Sequence, residues 1–144
     1  MTADREALRF YVDESALGLG KALAAARRDT IHVGHPLIPE CALDVLDIDW
    51  IPAVASRNLI VIGRDKRIRT KPEEIRRLLE ANLRVLQIGG KRDLSTWEWL
   101  VRLVRHWDEI EDVVRVRPMG QWFYVINEAG LSEVSWPPAR SEPS

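Results

Sequence analysis

The chain has 144 residues, 46% of them hydrophobic and 30% charged, with a formal net charge of −1. That length suits one domain able to build its own core. A lone cysteine, Cys41, excludes a disulfide framework and a cysteine-based zinc site, and near neutrality excludes recognition of nucleic acid through an overall basic charge.

No apolar run nears the ~20 residues of a membrane span. Residues 1–6 lack the charge-then-apolar pattern of a signal peptide, so the expected compartment is the cytoplasm, with no membrane partner. Leu8 to Val12 alternates and is rich in aromatic and apolar residues, which predicts a strand. Ser15 is a candidate cap for a helix over Ala16 to Ala26, whose Ala/Leu composition favours helix. Gly18 and Gly20 weaken that helix and allow a close approach to the sheet or to a substrate backbone. Arg27 and Arg28 suit its C-terminal dipole.

Thr30 to Val33 predicts a short strand, and the proline-bearing stretch 36–46 a loop. Trp50, Ile51, Val54 and Ala55 share one helical face. Pro52 fits a first turn, so the helix is expected to start near Asp47 to Asp49. Leu59 to Ile62 is a continuous apolar run of the kind buried in parallel sheets. Thr70-Lys71-Pro72-Glu73 reads as a capping box opening a helix to about Ala81. Leu83 to Ile88 predicts a strand. Ser95 to Glu98 is a second capping box, opening one long helix over 96–112 with Leu100, Leu103, Val104, Trp107 and Ile110 inward. Trp97 and Trp99 fall on different faces of it, so one of them is expected to be exposed, where it could anchor a partner. Gln121 to Ile126 and Leu131 to Trp136 flank Asn127-Glu128-Ala129-Gly130 and predict a hairpin. Residues 1–136 form the expected domain, with an extension from about 114 to 136 and a mobile tail over 137–144. The alternation of strands and helices argues for a parallel sheet covered on both faces.

Charge is segregated. Glu40, Asp44, Asp47 and Asp49 occupy a stretch without Lys or Arg, whereas Arg64, Lys66, Arg67, Arg69 and Lys71 surround the single acid Asp65. In an open α/β sheet, ligands bind beyond the carboxyl ends of the strands. Asp13 and Glu14 follow the first strand, and Asp65 follows the central one. Asp47 and Asp49 begin the helix leading into that central strand. Convergent carboxylates repel one another unless a cation relieves them, and oxygen ligands suit Mg²⁺ or Mn²⁺. Taken singly, each acid also fits a helix cap or a turn. His32 and His35 lack the partners of a metal site and fit a loop.

Phe10-Tyr11-Val12-Asp13-Glu14-Ser15 resembles the opening of PIN-like domains. Asp47-Ile48-Asp49-Trp50-Ile51 resembles the helix start of one PIN-like subgroup. Ile60 to Lys66 resembles its "strand, T-x-D-K" segment, with Gly63 where Thr is usual. The chain looks like the VapC-like toxins of toxin–antitoxin pairs. The resemblance implies a three-layer α/β/α domain with a central parallel sheet and a C-terminal β-hairpin extension. It implies a Mg²⁺- or Mn²⁺-dependent ribonuclease acting on RNA, silenced by a cognate antitoxin, with a homodimer as a further partner. Carried over by position, Asp13, Asp47 and Asp65 are the catalytic, metal-binding acids, Glu14 and Asp49 are auxiliary, and Arg64 and Lys66 contact phosphate. Where the family has a fourth acid shortly after the Asp65 position, this chain has Arg67 and Ile68. That leaves Glu40, Asp44, Glu73 or Glu74 as substitutes. A catalytically incomplete PIN-like module that binds RNA or protein is the alternative, and an α/β scaffold whose acids are only caps is a third reading.

Overall fold

The computed structural model describes residues 8–43, 47–64, 82–89 and 94–134, with the side chains of residues 47–49 left outside. Its elements are β1 (Phe10–Val12), a single 3-10 turn (Glu14–Ala16), α1 (Leu17–Ala26), β2 (Thr30–His32), α2 (Asp47–Ser56), β3 (Ile60–Gly63), β4 (Arg84–Ile88), α3 (Thr96–Arg105), α4 (Trp107–Val116), β5 (Trp122–Ile126) and β6 (Leu131–Glu133). The helix expected over 70–81 and the tail lie outside the described residues.

The six strands form one sheet in the order β2-β1-β3-β4-β5-β6, and every pairing is parallel except β5 with β6. This is the expected mixed α/β architecture. The expected C-terminal hairpin, β5 with β6, extends the sheet through the parallel pairing of β5 with β4. The chain first winds from β1 to β2 and then returns past β1 to β3, so the winding reverses between β1 and β3. Crevices beyond the carboxyl ends of strands form at such a reversal.

Alternation along the strands divides the core in two. Phe10, Val12, Ile60, Ile62, Leu86, Ile88, Trp122 and Ile126 face α1, α3 and α4, where Leu19, Leu23, Trp99, Leu103 and Ile110 meet them. Tyr11, Ile31, Val61, Val85 and Phe123 face Trp50, Ile51 and Val54 of α2 together with Ile38 and Cys41. Gly20 permits the first layer to close. A Cβ there would stand 2.8 Å from the His32 Cβ and 3.0 Å from the Val12 Cβ, so its absence lets α1 lie against β1 and β2.

Three local expectations are corrected. Ser15 does not cap α1. Asp13 caps the preceding 3-10 turn instead, accepting from Ser15 N. Pro52 sits inside α2, beyond its first turn, and gives up one intrahelical hydrogen bond. Burial of Trp50, Ile51 and Val54 offsets that loss. The long helix over 96–112 is two helices broken at His106, with no Gly or Pro at the break. There the buried imidazole lies 3.0 Å from Glu128 O through Nε2 and 3.0 Å from Glu109 Oε1 through Nδ1, tying the junction to the hairpin turn. Along α3, Trp99 is buried and Trp97 is 70% exposed, as one of the two was expected to be, whereas Val104, expected inside, is 59% exposed.

At the amino edge of the sheet, Arg9 pairs with Glu111 and with Asp29 (3.1 Å), and Arg27 pairs with Asp29 (2.8 Å) while its guanidinium lies over Trp107. Burial opposes ionisation of Asp29, but Arg27, Thr30 and Arg9 outweigh it and hold the carboxyl below its ordinary value. The hydrogen bond from Arg9 chiefly holds Glu111 below its own.

Candidate functional site

Asp13 leaves β1 at the carboxyl edge. Its N–H donates to Ile62 O (3.0 Å), which continues the β1–β3 register by one step and sets Asp13 beside Gly63. Asp13 is only 5% exposed. Burial of an acid at that depth needs compensation from donors or a cation. Ser15 supplies two donors to Oδ1: its N–H at 2.9 Å and its hydroxyl. The same hydroxyl oxygen accepts the N–H of Arg64 (2.9 Å). Ser15 therefore joins the acid after β1 to the backbone leaving β3.

Gly63 makes the room. A Cβ built on it would stand 2.6 Å from Asp13 Oδ2 and 2.9 Å from Oδ1. The carboxylate thus lies over the last residue of β3, in space that any other residue would fill.

The same face and edge receive α2. Its C-terminal end turns through Arg57 and Asn58 into the amino end of β3, so it runs antiparallel to the strands. Trp50 packs against Tyr11 with ring centroids 5.5 Å apart, and both belong to the α2 side of the core. Asp47 begins the helix a turn beyond Trp50, toward the carboxyl edge. The side chains of Asp47 and Asp49 lie outside the described residues, as do Asp65 and Lys66 entirely. Among the described residues, no three His, Cys, Asp or Glu side chains are grouped to hold a metal.

Other candidates separate clearly. Glu40 pairs with Arg57 (3.1 Å), at the far end of α2 from Asp47, so it does not stand in for a fourth acid. Asp44, Glu73 and Glu74 lie outside the described residues. Glu14 is exposed in the 3-10 turn. The Arg64 guanidinium lies over Trp99 (5.3 Å), with Arg102 over the same ring (5.6 Å), and Arg102 donates to Gly89 O (2.7 Å). Positive charge therefore borders the carboxyl edge on the α3 side. The His32 and His35 rings meet edge to face at 5.6 Å. His32 Nδ1 lies 2.7 Å from Val33 O, and His35 Nδ1 accepts from Leu37 N (3.1 Å).

One residue escaped the sequence reading. Gln87 is the penultimate residue of β4, is 3% exposed, and its Oε1 has no hydrogen-bond partner among the described residues. Its register partner on β3 is Gly63. Its parity with Val85 places it on the α2 side, the face that Asp13 shares with Tyr11. A lone amide in the run Leu83 to Ile88 was the available signal.

The PIN-like domain model matches residues 8–90, more than half of the chain. The chain belongs to the PIN-like domain family. The PIN-like match covers β1 through β4, and so includes Asp13, Gly63 and Gln87. No curated protein and no solved structure matches the chain.

The donors suit a hard divalent ion. A buried carboxylate stands in a cradle that a Cβ at Gly63 would fill, and a carboxamide oxygen with no partner among the described residues lies on the same face. Both supply oxygen, the element that Mg²⁺ and Mn²⁺ prefer. Among the described residues, no helix is long and apolar enough to cross a membrane.

Proposed function

We propose that this PIN-like protein is a Mg²⁺- or Mn²⁺-dependent endoribonuclease, the VapC-like toxin of a toxin–antitoxin pair acting in the cytoplasm. The observation that carries the reading is the buried Asp13 carboxylate, fixed by Ser15 and laid over Gly63 where the winding of the sheet reverses. Asp13, Asp47 and Asp65 hold the cation in this reading, with Glu14 and Asp49 as auxiliary acids. The bound cation supplies an activated water and offsets charge developing on the phosphodiester.

The rest falls to the chain's own groups. Ser15 fixes the orientation of the Asp13 carboxylate, so no reorganisation is needed when substrate arrives. Arg64 and Lys66 meet the RNA backbone in this reading, since its phosphates attract guanidinium and ammonium groups. The partners are an RNA substrate and a cognate antitoxin protein.

The test is cleavage of a single-stranded RNA by the full chain with Mn²⁺ or Mg²⁺. Wild type is expected to cut and Asp13→Asn to lose at least a hundredfold in rate, roughly the scale of removing a polarising group from a preorganised site. RNA binding without cleavage by wild type would favour the non-catalytic module instead.

A further inference from the structure

The carboxamide oxygen of Gln87 is buried near the carboxyl end of β4, and no donor among the described residues satisfies it. Such an acceptor is unfavourable in a folded protein unless something supplies a proton donor. The adjoining position on β3 is Gly63, which has no side chain to intervene. Beyond Gly63, on β1, stands the buried Asp13 carboxylate. Strand spacing puts the Asp13 and Gln87 backbones about 10 Å apart, with both side chains on one face. The Asp13 carboxylate occupies the space over Gly63, so it reaches from β1 toward the strand that carries Gln87.

We propose that Gln87 is a positioning residue of the cation site, its Oε1 accepting a hydrogen bond from a water that the divalent ion retains. The inference rests on the metal-dependent reading above. Hard divalent ions keep part of their water shell, and each retained water needs an acceptor. A neutral amide provides one without adding a further negative charge beside Asp13.

The experiment is Mn²⁺ binding by calorimetry, with melting temperatures in the absence and presence of Mn²⁺, on the full chain. Wild type, Gln87→Leu and Gln87→Glu are compared, and Gln87→Met replaces the leucine variant if that one does not fold. Gln87→Leu is expected to bind Mn²⁺ about tenfold more weakly. Its cation-free melting temperature is expected to stay near that of wild type, because the oxygen removed has no partner among the described residues. Gln87→Glu is expected to melt lower without cation and to gain more from Mn²⁺ than wild type does. Mn²⁺ affinity of Gln87→Leu within twofold of wild type overturns the proposal and leaves the metal-dependent reading standing. Failure of wild type itself to bind Mn²⁺ overturns both, so the two failures are told apart by the wild-type measurement alone.

Discussion

The Asp13 carboxylate and Gly63 are a fitted pair: the acid of β1 lies where a side chain of β3 would otherwise be, 2.6 Å from the position of its Cβ. Because β1 and β3 flank the reversal of the winding, this fit places a buried negative charge in the crevice the topology creates. Gly63→Ala is therefore expected to push the carboxylate aside. Overpacking of this kind costs about 1–3 kcal/mol. Chemical denaturation should show that loss, and Mn²⁺-dependent RNA cleavage should fall by more than the folded fraction does. Unchanged cleavage would mean that the carboxylate can move without consequence.

Ser15 connects Asp13 Oδ1 to the Arg64 N–H through one hydroxyl. Ser15→Ala removes both contacts and leaves the buried carboxylate with a donor fewer. A loss of about 1–3 kcal/mol is expected, together with slower cleavage. Ser15→Thr keeps the hydroxyl and should recover most of both. Equal behaviour of the Ala and Thr variants in urea melts and cleavage assays would count against this role.

Trp97 and Trp99 are two residues apart but lie in opposite environments. Trp99→Ala should cost about 3–5 kcal/mol, the usual scale for emptying an aromatic site in a core. Trp97→Ser should stay within about 0.5 kcal/mol of wild type. Equilibrium denaturation of the two variants checks the assignment of faces on α3.

The Arg9–Asp29–Arg27–Glu111 cluster gives a pH dependence whose sign is fixed. The folded protein holds Asp29 and Glu111 below their ordinary values of 3.8 and 4.5. Their contribution is thus present above those values and is lost as the pH falls through the lower folded ones. Glu111→Gln should remove its share and flatten the fall in melting temperature at acid pH. The Glu111 side chain is about a third exposed, so solvent screening holds the cost near neutral pH to about 1 kcal/mol or less. A melting curve from neutral to acid pH for wild type and variant would expose any difference in slope.

Several features were readable because each depends on residues close together in the chain. The capping box at Ser95 and Glu98 forms as expected, with both reciprocal hydrogen bonds present. The apolar run at 59–62 yields the central strand, one residue later than expected at each end, because Gly63 rather than Leu59 closes the ladder. Asp47 begins α2 as the apolar spacing and Pro52 indicated, even though Pro52 itself lies deeper in the helix than its chemistry prefers. Asp13 follows the first strand as expected, and its carboxylate caps the 3-10 turn while lying over Gly63.

By itself, then, the sequence determined the alternation of strands and helices, the caps, and the ends of the strands to which acids and bases belong, since propensity and period act over a few neighbouring residues. The tertiary structure alone decided that β5 joins the sheet, that His106 breaks a long helix, that Trp99 rather than Trp97 is inside, and that the Gln87 oxygen, with no partner among the described residues, stands across a glycine from Asp13. Each of those facts depends on which distant strand or loop lies alongside. A side chain's burial and its hydrogen-bond partners are set by those cross-chain neighbours, not by the residues that adjoin it.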